Sequence, residues 1–287
     1  MSSARPAAPR VAIIGAGRAG RALALALTRA MVPVHVCVRR PTDLPSPIEC
    51  SLDPWNEVLA QSDIVLLAVP DDAIGDVATA IREATLAQAV VLHCSGLRDR
   101  SALAALEGCA KGLGSFHPLQ TLAGDSEAAG RLRASFAVLE GDAAAVEAGR
   151  RLAAVLGMEA LVIDSAQKPR YHAAAVMVSN YTVTLAAIGA KLAREAGVPA
   201  EAASRIFLPL LEGTVKNLEA LGPASALTGP IRRGDIGTIE AHLAALDGGD
   251  RRLYAELGLR AVELAREAGL DEERAAGLAA RLRAAVD

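Results

Sequence analysis

Residues 11–20 read VAIIGAGRAG, a short apolar run that breaks into three glycines, Gly15, Gly17 and Gly20, before the alanine- and leucine-rich stretch RALALALTRA. The aliphatic run predicts a buried strand, and the stretch beyond Gly17 predicts the helix that follows it. The spacing G-x-G-x-x-G at such a strand-to-helix turn is how a parallel α/β sheet receives a dinucleotide. Gly15 permits the tight turn, Gly17 lets the backbone approach a pyrophosphate, and Gly20 lets helix and strand pack closely. Arg18 and Ala19 open the helix, whose free N–H groups would face the phosphates. A turn without a ligand is the competing account, and the position at the start of an alternating domain argues against it.

Outward from this motif, apolar runs alternate with helical patterns to about residue 164, the signature of a parallel sheet with crossover helices. The predicted strands are RVAIIGAG, VHVCVRR, DIVLLAVP, AVVLHCSG, GLGSFHP, SFAVLE and EALVID. In DPWNEVLAQS, Asp53 reads as a helix N-cap with Pro54 at the first helical position. After Asp164 only helical patterns follow, beginning with SAQKPRYHAAAVMVSNYTVTLAAIGAKLAREAG. That first long helix is apolar nearly all round, which predicts burial inside a bundle or against a second subunit. The fold class is an α/β Rossmann domain with a mostly parallel, doubly wound sheet over residues 1–164, then an all-α domain over residues 165–287.

The second strand ends in VCVRRPTD, with Arg39 and Arg40 where an NAD site places an acid. Arginine's planar fork of donors matches a phosphate, so the pair predicts NADP (NADPH), with Thr42 adding a hydroxyl. A solvated arginine pair is the plain alternative. Ligands of open parallel sheets cross the carboxyl ends of the strands. AVPDDAI puts Val69, Pro70 and Asp71 there, although Asp71 and Asp72 could equally cap the next helix. HCSG adds Ser95 and Gly96, able to donate to the nicotinamide or a substrate oxygen, and His93, either a substrate ligand or a buried imidazole. GSFHPLQT brings His117 to a third strand end.

Composition narrows the function classes. Aromatics are 2% of 287 residues and the formal net charge is -3, which gives neither stacking platforms nor electrostatic support for a nucleic-acid or membrane-surface partner. MSSARPAAPR lacks an apolar core for a signal peptide, and the apolar runs read as too short or too interrupted to span a bilayer. Cys37, Cys50, Cys94 and Cys109 form no C-x-x-C pair, so no metal site or disulfide framework is expected and the setting reads as cytoplasmic.

The stretches IIGAGRAGRALALAL, LAVPDDAI, LHCSGL, GSFHPLQT, YHAAAVMVSNY and ALTGPIRRGD together resemble a family of bacterial Rossmann-like proteins whose C-terminal half is a domain of unknown function. That family is similar to pyrroline-5-carboxylate reductase, F420-dependent NADP oxidoreductase and the β-hydroxyacid dehydrogenases. The resemblance implies NADP-linked oxidoreduction, with a helical domain like that of 6-phosphogluconate dehydrogenase closing the site and forming a homodimer. The β-hydroxyacid dehydrogenases carry a catalytic Lys four residues before an Asn. Here Asn180 is present, but Val176 stands in the lysine's place.

At about 100° per residue, Lys168, His172 and Ser179 share a narrow arc of the helix, bordered by Asn180. His172 is thus a candidate general acid, with Ser179 or Asn180 orienting a carbonyl or imine and Lys168 near substrate. A buried structural histidine and a solvated first-turn lysine are the alternatives. In ALTGPIRRGD, Gly229, Pro230, Gly234 and Asp235 read as helix punctuation, which leaves Thr228, Arg232 and Arg233 to bind a substrate carboxylate or an NADP phosphate, or to form ordinary ion pairs. The expected function is an NADPH-dependent reductase of a small, carboxylate-bearing C=O or C=N substrate. The alternative is an NADP(H)-binding sensor without turnover.

Overall fold

The computed structural model describes residues 8–122 and 126–286. The N-terminal stretch read above for a leader lies outside them as far as Ala7. Eight strands form one sheet: β1 (Val11–Ile14), β2 (Val34–Val38), β3 (Glu49–Leu52), β4 (Ile64–Leu67), β5 (Val90–His93), β6 (Gly112–Leu119), β7 (Phe136–Gly141) and β8 (Glu159–Val162). Their order is 3-2-1-4-5-6-7-8, parallel throughout except for the antiparallel pair β6 and β7. Seven of the eight lie where the apolar runs predict them. The exception is β3, sequence ECSL, largely exposed and paired only with β2 at the sheet edge. An edge strand needs no apolar face, so it leaves little hydrophobic signature.

Side chains alternate across the sheet, and both faces are covered. Val11 and Ile13 join one core with Leu23 and Leu27 of the helix Arg18–Arg29 and with Leu152 of the helix Ala143–Leu156. Ala12 and Ile14 join the other with Trp55, Leu59, Ile74 and Leu103. Each such aliphatic side chain, once fully buried, contributes about 1.5–3 kcal/mol relative to exposure. The helix after β3 runs Asn56–Ala60 and starts without a side-chain cap. Asp53 and Pro54 therefore lie in the connection ahead of it rather than at its cap. Asp71 likewise does not cap the helix Ile74–Ala80, because its carboxylate is taken by Ser95.

The chain divides into two compact units, Met1–Asn180 and Tyr181–Asp287. The sheet ends at Val162, and residues 165–180, which open the long helix Lys168–Glu195, belong to the sheet's unit. Within the second unit, Ile231, Ile239, Leu243, Val262, Leu278 and Leu282 form a core of their own. The helix Gly229–Arg233 starts at the Gly-Pro step. Gly234 closes it at φ 69°, and the Asp235 carboxylate caps the next helix by accepting from the Thr238 N–H at 3.0 Å.

Of the two surroundings the sequence offers the long helix, the interior of a bundle is not what the single chain provides: Met177, Val178, Tyr181, Val183 and Leu185 are all exposed. The segment Ser165–Glu195 is also long and apolar enough to cross a membrane by length and composition, contrary to the reading of interrupted runs.

Candidate functional site

The glycine loop follows β1 as read. Gly15 has φ 106°, and a Cβ on it would meet the Ala68 carbonyl oxygen at 2.5 Å, so only glycine fits. A Cβ on Gly20 would strike the Gly15 carbonyl oxygen, whereas one on Gly17 would meet open space. The helix begins at Arg18 without a side-chain cap, leaving its first N–H groups for a ligand. Arg21, one turn in, donates to the carbonyl oxygens of Ala16 at 3.0 Å and Asp43 at 2.9 Å, tying the glycine loop to the loop after β2.

Between these loops lies a cavity of about 590 Å³, lined by Gly15, Gly17, Arg39, Arg40, Val69 and Pro70 among others. Arg39 and Arg40 are exposed, and neither guanidinium has an ion-pair partner among the described residues. The Thr42 hydroxyl donates to the Arg40 carbonyl at 3.0 Å, which shapes that loop. Trp55 also lines the cavity, buried, with its indole Nε1 lacking a partner. Open glycine backbone, uncapped helix and two free guanidinia fit a dinucleotide carrying an extra phosphate.

The ends of β4, β5 and β6 assemble differently from the sequence reading. His93 is fully buried, with Nε2 against the Asp99 carbonyl oxygen at 3.0 Å and Nδ1 accepting from the Ser95 N–H at 3.3 Å. Burial pushes its pKa down, so it is a neutral structural imidazole and not a substrate ligand. The Ser95 hydroxyl donates to Asp71 Oδ2 at 2.7 Å and accepts from the N–H groups of Leu97 at 3.1 Å and Arg98 at 2.9 Å. Its hydrogen-bonding capacity is consumed by the turn, which removes it from the catalytic and cofactor-binding candidates. Lys168, expected at the substrate or in solvent, is fully buried and donates to Ser95 O and Ser115 Oγ.

Two histidines remain. His117, on β6, bonds through Nδ1 to the Tyr171 hydroxyl at 2.7 Å. His172 lies edge-on to it, with ring centroids 6.0 Å apart. Both rings rest on Gly96, where a Cβ would come within 2.6 Å of His172 Nδ1 and 3.0 Å of His117 Nε2. His172 Nδ1 is buried there without a partner. A proton on that nitrogen would find no acceptor, so the neutral ring carries its proton on Nε2. Burial first, then the neighbouring His172 and Lys168, push His117 down to about 4; burial pushes Tyr171 up to about 12.

The histidines border a cavity of about 650 Å³ whose wall includes Leu119, Tyr171, Ala175, Val176, Ser179 and Asn180. Among the described residues, neither Lys nor Arg lines it. Thus His117, His172, Ser179 and Asn180 line one cavity, and Tyr171, which sequence reasoning missed, joins them. No group of three His, Cys, Asp or Glu among the described residues is placed to hold a metal.

In the second unit, Arg232 donates to the Ala268 carbonyl at 2.8 Å, so its guanidinium serves that unit's own fold. Arg233 lines a shallow concavity with Arg274 and Asp271. Thr228 precedes the short helix without capping it.

Comparison with known proteins adds to this geometry. Residues 135–278 match the domain of unknown function DUF2520, and residues 10–95 match the family described as NADP oxidoreductase, coenzyme F420-dependent. A search of curated proteins returned no match. Among solved structures, a Bacteroides fragilis protein named as an NADP oxidoreductase is 25% identical, with 90% of this chain and 98% of that one covered and a TM-score of 0.66. The protein TM1727 from Thermotoga maritima is 23% identical, covering 90% and 99%, at a TM-score of 0.71. Plasmodium falciparum pyrroline carboxylate reductase with NADP bound shares the fold at 12% identity, 97% and 98% coverage and a TM-score of 0.58.

Proposed function

Because this chain belongs to the DUF2520 family and carries a dinucleotide-binding glycine loop with two free arginines, we propose that it is an NADP-dependent oxidoreductase of a small C=O or C=N compound. The observation that carries the reading is the pair His117 and His172, seated on Gly96 beside a 650 Å³ cavity, at the same end of the sheet as the glycine loop. Gly15, Gly17 and the first turn of the helix hold the pyrophosphate, and Arg39 and Arg40 hold the 2′-phosphate. The bound cofactor supplies the hydride.

The protein supplies the rest. His172 donates a hydrogen bond from Nε2 to the substrate oxygen or nitrogen, which takes its proton from water, and Ser179 and Asn180 orient that group. His117, neutral and fixed by Tyr171, sets the ring orientation of the pair. Val176, Ala175 and Leu119 keep the cavity wall apolar. A carboxylate on the substrate would meet Ser179, Asn180 and the histidines, since no Lys or Arg among the described residues lines the wall. We also read the protein as a homodimer whose second copy covers the exposed apolar helices.

The test is NADPH oxidation across 2-oxo acids, the matching neutral ketones and cyclic imines, with wild type and His172→Ala. Turnover by wild type and a loss on the order of 10²-fold in the variant are expected. Equal rates would remove His172 from the chemistry. Val176, standing where related dehydrogenases place a lysine, favours a second reading, an NADP(H)-binding sensor. That reading expects tight cofactor binding and no oxidation with any compound.

A further inference from the structure

Lys168 is the one lysine with no exposed surface among the buried polar residues, and its surroundings are built from distant parts of the chain. Its ammonium donates to the Ser95 carbonyl oxygen at 3.2 Å and to Ser115 Oγ at 2.7 Å. Ser115 in turn donates to Glu140 Oε2 at 3.2 Å. Glu140 is 2% exposed, and its Oε1 accepts from Ser165 Oγ at 2.8 Å and from the Arg100 N–H at 3.2 Å. The result is a buried lysine and glutamate bridged by one serine hydroxyl. Such a pair costs desolvation that an apolar side chain would avoid, so it adds little to stability by itself.

What it fixes is geometry. Ser95 immediately precedes Gly96, the seat of both imidazoles. Ser115 lies two residues before His117 on β6, so their side chains project from the same face of one strand. His172 is four residues beyond Lys168, one turn along the same helix face. One ammonium thus clamps the three segments that present Gly96, His117 and His172. We propose that Lys168, bridged to Glu140 by Ser115, is the positioning residue of the histidine pair. Its catalytic consequence rests on the reading of that pair given above. The groups acting electrostatically on His117 are His172, Lys168, Asp71 and His93, and Lys168 is among those that hold it neutral.

The test compares wild type, Lys168→Met and the double variant Lys168→Met/Glu140→Gln by histidine NMR titration, NADPH binding and steady-state kinetics. Both variants should raise the His117 titration from about 4. They should bind NADPH within about twofold of wild type and lose kcat on the order of 100-fold, the consequence of misplacing reacting groups by about 1 Å. The double variant leaves no lone buried charge and carries the test if the single variant does not fold. An unmoved His117 titration, an unchanged kcat, or a loss of NADPH affinity equal to the loss of kcat would each overturn the proposal. If no compound is turned over by wild type, the catalytic reading fails while the titration still decides whether Lys168 positions the pair.

Discussion

His117 packs against Tyr171, His172 and Gly96, and its burial makes it resist protonation. Its folded pKa of about 4 lies below the ordinary 6.5. Between those values the unfolded chain takes up a proton that the folded chain refuses, so stability is lost as pH falls through that window. At about 1.4 kcal/mol per unit the full loss is roughly 3 kcal/mol, with burial of His93 acting in the same direction. Urea unfolding at about pH 7 and about pH 4.5 should show this decline, and His117→Gln should flatten it. A decline of the same size in the variant would assign it elsewhere. At this scale the sequence made Gly15, Gly17, Gly20, Arg39 and Arg40 legible, because their roles follow from backbone geometry and charge at one turn. The burial of Lys168 was not legible. A lysine beside Pro169 reads as solvated until Ser95, Ser115 and Glu140 arrive from elsewhere in the chain.

At the scale of elements, strands announced themselves by unbroken aliphatic runs because both faces of the sheet are covered. Only the polar edge strand β3 escaped notice. The long helix was legible as a helix but not in its surroundings. Val183 and Tyr181 on it are exposed, as are Leu210, Val215 and Leu221 on the helix Leu208–Ala226, which has no buried residue. Apolar surface of this extent calls for a cover. A second copy as that cover predicts sedimentation in detergent-free buffer at twice the 29.5 kDa of the chain, with Val183→Asp/Leu210→Asp shifted to monomer. A monodisperse wild-type monomer would contradict it, and protein recovered only in detergent would favour a membrane as the cover.

Over the whole molecule, the candidate site lies at one end of the sheet, where the turns after β1 and β2 carry the glycine loop and the arginine pair, and β6 and the helix Lys168–Glu195 carry the two histidines. The cavity between the glycine loop and the arginine pair lies beside the switch at β1, where open parallel sheets receive ligands. The central claim is that this end receives NADP(H). Trp55, the chain's sole tryptophan, lines the cofactor cavity and reports on it directly. Titrating its fluorescence with NADPH and NADH, in wild type and in Arg39→Ala/Arg40→Ala, tests the claim most directly. Wild type should bind NADPH at least about tenfold tighter than NADH, and the variant should lose that preference while NADH binding stays nearly unchanged, as expected for loss of charge-assisted bonds to the 2′-phosphate. No binding, or equal affinities for the two cofactors in wild type, would contradict it.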